Sequence, residues 1–591
     1  MNPAPTHEAV GISHKKLVCE QTIPENTKLE LFGGQLMIDR EEFENLPVSI
    51  PGDMVDRMER VSQIGLKNIW LGSRPDSHVR WEHARGTYTV GLIWLKFLYE
   101  HQRIPQRLQQ SPFLDYRTAQ ILVGYSLLLH DYGHLFFSHL LDEVLQSINW
   151  IPSAPGVRSL EYRVLLDRLN SNGDLDLAFR QSLPATSHQA LDPRRSVSNL
   201  MFGWAGTPWL QSIVNGPVDA DKIDYLRRDQ AFLERAGYPV HSRLNFGPTL
   251  PNHPTLPWME QFLSEQFVNH FGFLCLPGRS ALAAADLWRE RMFLYERFYL
   301  APAVRVAERI VMEIIQGFLI RYVMSSGFSL STRRFLADML KGDRELNLPG
   351  DFAEKIHSLT YSAPDVLIDV VEVKYQIVVE LLTKLAGFIG GTGVRDWECL
   401  KLMRDSFCRP PDDRDGTPSL PLLDKRYLDF VTRACKTLDQ LKDGTVKLDE
   451  VADDAIVRHP LQFLKADLPK VRNVVRSFQH QFMVDALIDV VVMPSVLSIP
   501  SAPDRHDDSA RPPAFAGLLV PKGDVASWGP GSTQLVPLDP SQLKELERPF
   551  GRITVIAFDD TTDKSRREYI FDRLLATLSQ EGIAIQEVSA C

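Results

Sequence analysis

The chain has 591 residues, a formal net charge of -10, 44% hydrophobic and 24% charged residues, the balance of a globular protein rather than a disordered or fibrous one. At roughly 100–200 residues per domain, the length accommodates three or four units, or fewer around a large helical core. The acidity excludes the broad basic face that electrostatic duplex binding needs, but it leaves room for a small cationic pocket that takes a phosphorylated molecule.

Residues 1–50 read as a leader with a short strand or two in KLELFGGQLMID, and Pro51 breaks the chain before the helical pattern DMVDRMERVSQIG. Over 51–330 apolar residues recur mainly at helical spacing, in YTVGLIWLKFLYEHQ, in RTAQILVGYSLLLHDYGHLFFSHLLDEVLQSI and in the long run from Leu282 to Ile320. Within it, 241–280 changes character and reads as a loop with short extended pieces. Residues 331–493 continue as helices, with turns at LNLPGD, GGTG and RPPDDRDGTPSLP; 494–517 has the Pro, Ser and Asp density of a linker. In 518–591, RITVIAF predicts a strand, DKSRREYIFDRLLATLSQEG an amphipathic helix and IAIQEV a closing strand. The expected fold is therefore mainly α, a helical core with a helical extension and a small C-terminal α/β cap.

The six cysteines, Cys19, Cys275, Cys399, Cys408, Cys435 and Cys591, form no CxxC pair and read as reduced thiols. The N-terminus lacks the apolar run of a signal sequence, and no stretch reaches about 18 uncharged apolar residues. A cytoplasmic location without membrane contact is the expectation.

The chemistry concentrates in LLLHDYGHLFFSHLLDEV, residues 127–144, where three histidines and two aspartates interrupt an apolar helical pattern. Burying such groups costs several kcal/mol unless they are paired or bound to a metal. A lone histidine there would read as a hydrogen-bonded core residue, whereas three with an HD doublet point to a site. His130 and Asp131 offer an imidazole nitrogen and a carboxylate oxygen to one ion near a helix end, which suits Zn, Mn, Fe or Mg. If the helix is continuous, His134 and Asp142 share a face, and His139 and Asp142 are three apart. Upstream, RWEHARGTYTVG places Arg80 one turn before His83; downstream, VDADKIDYLRRD alternates Asp219, Asp221, Asp224 and Asp229 with Lys222, Arg227 and Arg228, a pattern that by itself fits a solvated, ion-paired helix.

Together RWEHARGT, LLHDYGHLFFSH and VDADKIDYLRRD resemble the HD-domain metal-dependent phosphohydrolases, and more narrowly their deoxynucleoside triphosphate triphosphohydrolase branch. The resemblance runs from about Asp53 to the helix near 325, with a weaker echo in VDALIDVVVMP. It implies His83, His130, Asp131 and Asp221 as ligands of a divalent metal (Mn, Mg, Fe or Zn). It further implies His134 and His139 beside the scissile phosphate, one of them protonating the leaving oxygen, with Asp142 orienting one of the two. Arg80 and Lys222 would reach phosphate, Tyr225, Asp229 and Gln63 would face the sugar, and DLWRERMFLYERFYLAP would contribute Arg291, Tyr295 and Tyr299. Four-residue spacing puts these last three on one helix face, where a guanidinium holds phosphate and a ring packs on sugar or base. Leu300 and Pro302 depart from the family pattern, and His188 in PATSHQALD matches it poorly.

The implied activity is hydrolysis of a deoxynucleoside triphosphate to deoxynucleoside and inorganic triphosphate. The alternatives are an HD-type phosphatase or phosphodiesterase on another nucleotide, or a nucleotide sensor that does not turn over. The resemblance also implies a homo-oligomer with a nucleotide effector.

Overall fold

The computed structural model describes residues 29–31, 36–38, 48, 50–65, 67, 79–109, 115–134, 137, 139–147, 165, 168–169, 173–183, 192–202, 207–235, 256–270, 272–325, 396–408, 425–482, 487–492, 519–521, 535–537, 550–557 and 564–587. The turns expected at LNLPGD, GGTG and RPPDDRDGTPSLP, the 494–517 linker and His188 lie outside them. As the sequence predicts, β1 (Leu29–Leu31) and β2 (Leu36–Ile38) pair antiparallel, and α1 (Gly52–Arg60) starts directly after Pro51. Asp53 in its first turn and Arg57 and Arg60 in its last complement the helix dipole.

The core is built around α2 (Arg80–Glu100) and α3 (Tyr116–Leu129). Seventeen of the 21 residues of α2 are buried on all sides, the state expected of a helix that is apolar around its circumference. Close approach requires glycine: a Cβ on Gly91 would lie 2.1 Å from Leu127 Cδ1 of α3. Asp115 starts α3 by accepting a hydrogen bond from the Thr118 amide at 3.0 Å. α4 (His139–Ser147) follows in the chain, and α5 (Gly173–Ser182), α6 (Pro193–Phe202), α7 (Pro208–Val214) and α8 (Ala220–Arg235) sit around this pair.

The continuous helix expected through HDYGHLFFSH does not form. After Leu129 the chain turns, and α4 restarts at His139. Two local features account for the break: the His130 ring donates from Nδ1 to the Leu127 carbonyl at 2.7 Å, satisfying an acceptor at the helix end, and Phe137 takes a left-handed φ of 67°. His134 and Asp142 therefore do not share a helix face. The 241–280 segment holds the short strands β3 (Phe267–Val268) and β4 (Leu274–Cys275), as expected, but also α9 (Leu256–Leu263), whose Trp258 and Phe262 rings stack at 5.1 Å.

Next come α10 (Gly278–Leu294), a single π-helical stretch (Tyr295–Tyr299) and α11 (Pro302–Ser325); α12 (Asp396–Cys408), α13 (Lys425–Lys442) and α14 (Leu448–Ala455) pack on α11. Part of the stretch expected to be helical is strand: β5 (Leu461–Leu464) and β6 (Leu487–Val492) flank α15 (Leu468–Phe482). The reason lies downstream, because their partner β9 (Phe550–Ile556) pairs antiparallel with both. With α16 (Lys564–Gln580) and β10 (Ile585–Glu587) they make a βαββαβ unit with sheet order β10-β5-β9-β6, a split-βαβ arrangement. Phe463, Ile488, Ile553, Val555, Phe571 and Leu574 fill the space between this sheet and its two helices. Between β6 and β9, β7 (Leu519–Pro521) returns to pair with β4 and carries β8 (Leu535–Pro537) on its other edge.

The fold is thus mainly α with small sheets, as the sequence indicates. No helix among the described residues is long and apolar enough to cross a membrane.

Candidate metal centre

Three separate helices deliver the donors. His83 sits one turn into α2, whose start is fixed by the Arg80 amide donating to the Val61 carbonyl at 2.9 Å and by Glu82 accepting from the Val79 amide at 3.2 Å. His130 and Asp131 leave the C-terminal end of α3. Asp221 lies in the first turn of α8, which Asp219 caps by accepting from the Lys222 and Gly216 amides at 2.8 and 3.0 Å.

Their side chains converge. His83 Nε2 lies 2.9 Å from Asp221 Oδ1, 3.2 Å from His130 Nε2 and 3.5 Å from Asp131 Oδ2; His130 Nε2 lies 3.5 Å from both Asp131 Oδ1 and Asp221 Oδ1. Donor atoms bound to one ion at about 2.0–2.2 Å stand roughly 3.0–3.5 Å from each other, so His83, His130 and Asp131 have the spacing of a ligand shell, with Asp221 set against its two imidazoles. Both rings are held at Nδ1, His83 by donating to Asp224 Oδ2 at 2.8 Å and His130 by donating to the Leu127 carbonyl at 2.7 Å. This leaves both Nε2 atoms turned inward, the arrangement that outer-shell partners impose on metal-binding histidines. Two imidazoles and two carboxylates fit a divalent transition metal or Mg and leave positions for water and a phosphate oxygen.

The electrostatics follow from burial and pairing. His83 is fully buried, which by itself disfavours its charged form, but hydrogen bonds to Asp221 and Asp224 and the field of Asp131 prevail and raise its pKa to about 10. Burial also pushes the Asp131 carboxyl upward, yet Arg80, His130 and His134 hold it well below the usual range. For Asp224 the opposing partners are Arg228 and His83, and its pKa is lowered. A proton on His83 thus occupies, electrostatically, the place of a cation among three carboxylates.

Around this centre most of the implied residues come together. Arg80 Nη1 donates to Asp131 Oδ2 at 2.6 Å, so its guanidinium is engaged with a carboxylate of the cluster. His134 Nε2 is 3.2 Å from Asp131 Oδ1, and the exposed His139 ring meets the His134 ring edge-on at 4.8 Å. Tyr225, one turn after Asp221, has its ring 6.5 Å from that of His83, and its hydroxyl accepts from Arg291 Nε at 2.9 Å. The Arg291 guanidinium stacks 5.1 Å from the Tyr295 ring, Tyr295 and Tyr299 meet at 4.9 Å, and the Tyr299 hydroxyl donates to Asp229. Burial and adjacent charge raise the Tyr225 and Tyr299 pKa values well above the ordinary range, so both phenols stay neutral donors. The three residues of the expected helix face do line up, but through a π turn in which the Leu300 amide reaches back to the Tyr295 carbonyl at 2.9 Å.

Other expectations fare differently. Lys222 Nζ is turned to Asp219 Oδ2 at 2.5 Å and the Gly216 carbonyl at 3.0 Å, not toward Asp221. Gln63 lies beside the Ser62–Val79 bridge with its side-chain carbonyl buried and without a hydrogen-bond partner among the described residues. Asp142 falls in α4, but its side chain lies outside the described residues. Asp224 was not singled out by motif, although its spacing of three from Asp221 and four to Arg228 is the available signal. It orients His83, accepts a fork from Arg228 at 2.9 and 3.0 Å, and fills the space beside Gly86, where a Cβ would come within 1.9 Å of it.

The chain is 23% identical over 291 residues to a putative HD domain-containing protein of Acanthamoeba polyphaga mimivirus, an alignment covering 47% of this chain and 53% of that one. The chain is similar to HD-domain proteins. It spans about half the length of this curated relative. Among solved structures, a phosphohydrolase of Bacteroides thetaiotaomicron is similar at 14% identity and a TM-score of 0.43, over 87% of this chain and 97% of that one. No family profile matches the chain.

Removing the outer-shell carboxylate by Asp224→Asn is expected to lower metal affinity about 10–100-fold while leaving the helices folded, as read by metal titration and circular dichroism; unchanged affinity would show that Asp224 does not orient His83. Because His83 without metal holds its proton up to about pH 10, metal uptake must release that proton. Apparent affinity should rise by about tenfold per pH unit between roughly 6 and 9 for each proton released, measurable by calorimetry in buffers of different ionisation enthalpy.

Proposed function

We propose that this centre hydrolyses deoxynucleoside triphosphates to deoxynucleoside and inorganic triphosphate. The observation that carries the reading is the junction of the His83–His130–Asp131 cluster, with Asp221 beside it, and an Arg291–Tyr225–Tyr295–Tyr299–Asp229 array, linked by Tyr225, which contacts both. His83, His130, Asp131 and Asp221 would hold a divalent ion, which when bound would supply Lewis-acid polarisation of a phosphoryl group.

The chain's own groups then have distinct tasks. Arg291, held in direction by the Tyr225 hydroxyl, presents a guanidinium whose planar fork suits phosphate oxygens. Arg80 keeps Asp131 ionised and oriented. The Tyr295 and Tyr299 rings form a platform for sugar or base. Water attacks the α-phosphorus, the bond to the 5′ oxygen breaks, and that oxygen takes a proton from His134 or His139, imidazole being the side chain that exchanges protons near neutral pH. The acidic chain has no conflict with a polyanionic substrate, since the cations it needs stand at the site.

Incubating the metal-loaded protein with each deoxynucleoside triphosphate should release intact triphosphate. Release of single phosphates would assign the site to another nucleotide reaction, and binding without turnover would make it a sensor. His134→Ala or His139→Ala should cut kcat by about 100-fold, the scale of one general acid, with metal retained; full turnover in both variants contradicts the proton-donor role.

A further inference from the structure

A second buried charge cluster joins α4, which carries His139, to the βαββαβ unit. Its centre is Arg305 in the first turn of α11, 4% exposed. Nε and Nη2 form a fork on Asp489 of β6 at 3.0 and 2.8 Å; Nη1 and Nη2 form a second fork on Glu143 of α4 at 3.1 and 2.6 Å; Nη1 also donates to Glu308 at 2.8 Å. A guanidinium has five N–H donors, and these five contacts engage all of them. Glu308 is in turn paired with Lys67.

The placement of each partner gives the cluster a direction. Along β6, Ile488, Val490 and Val492 face the core beneath α15 and α16, so Asp489 stands on the opposite face of the sheet. On β9, Ile553 and Val555 likewise face that core, which puts Arg552 on the opposite face, within electrostatic reach of Glu296 in the π turn that bears Tyr295 and Tyr299. In α4, Glu143 follows His139 by four residues and lies on the same side of the helix. Asp489 and Glu308 are buried and Glu143 is partly exposed; burying carboxylates around a guanidinium is generally no more stabilising than apolar packing of equal volume, whereas two forks at right distances define a single orientation. The face of the βαββαβ sheet that its own helices leave open thereby reaches two segments that border the site.

We propose that Arg305 is a positioning residue: anchored by Asp489 of the βαββαβ unit, it fixes α4 through Glu143 and so sets His139 against His134. This assignment rests on the reading of His139 as a proton donor and is independent of which nucleotide is hydrolysed.

The test uses the full chain loaded with Mn, comparing Glu143→Gln and the near-isosteric Asp489→Asn, each alone and combined with His139→Ala. Turnover is followed on deoxynucleoside triphosphates or, if none reacts, on bis(p-nitrophenyl) phosphate. Each single variant should lower kcat about tenfold with KM and metal content unchanged, because the ligands come from α2, α3 and α8. In the His139→Ala background the same substitutions should have no further effect, since groups acting as a unit are non-additive. Hydrogen exchange of the α4 amides should accelerate while α2 and α8 are unaffected. Unchanged kcat in both single variants, or a tenfold loss that persists without His139, overturns the positioning role; a silent His139→Ala overturns this assignment and leaves His134 as the donor, whereas failure to find triphosphate among the products overturns only the substrate.

Discussion

Placing five ionisable side chains, His83, His130, Asp131, Asp221 and Asp224, inside an apolar helical core creates a shortage of positive charge that the rest of the structure is arranged to meet. Arg80 and Arg228 each neutralise one carboxylate from outside the shell. What remains concentrates on the two inward-turned imidazoles, and the raised His83 pKa, driven by Asp221, Asp224 and Asp131 against burial, has the same cause: carboxylates in excess of cations. A divalent ion would answer that demand, and His83, His130 and Asp131 already stand at ligand spacing with Asp221 against the two rings.

The scaffold serves this geometry at short range. Gly86 gives Asp224 the room to reach His83 across the α2–α8 contact, and Gly91 lets α3 approach α2 closely enough for its terminal His130 and Asp131 to meet that same histidine. The π turn at Tyr295–Tyr299 is a comparable device on the substrate side: one wide turn lets Arg291, Tyr295 and Tyr299 stack in succession while Tyr299 also reaches Asp229. Farther out, Arg305 ties α4 to the βαββαβ unit, so elements more than 150 residues apart in the chain converge on one helix.

Much of this was legible in the sequence because metal chemistry demands particular residue types. His130 and Asp131 are conspicuous as polar groups in apolar surroundings, where burial is costly, whereas His83 and Asp221 sit in charged stretches and became legible only through the resemblance that links the three motifs. The helix break at HDYGH was not legible, because apolar residues continue at helical spacing straight through LFFSHLL; the interruption comes from the His130 ring capping its own helix and from the left-handed Phe137. Strands β5 and β6 were hidden for a different reason: runs of four and six residues define a strand only once a partner exists, and the partner β9 lies some sixty residues beyond β6. Asp224 and Asp489 are ordinary acidic positions until a neighbouring helix or sheet brings His83 or Arg305 to them.

The central claim is that four side chains from three helices hold one divalent ion. Anomalous diffraction from crystals of the full chain grown with Mn tests it most directly. The account predicts a single peak within about 2.0–2.4 Å of His83 Nε2, His130 Nε2 and one oxygen each of Asp131 and Asp221. A peak bound elsewhere, or one that leaves His83 or Asp221 outside coordination distance, would contradict it.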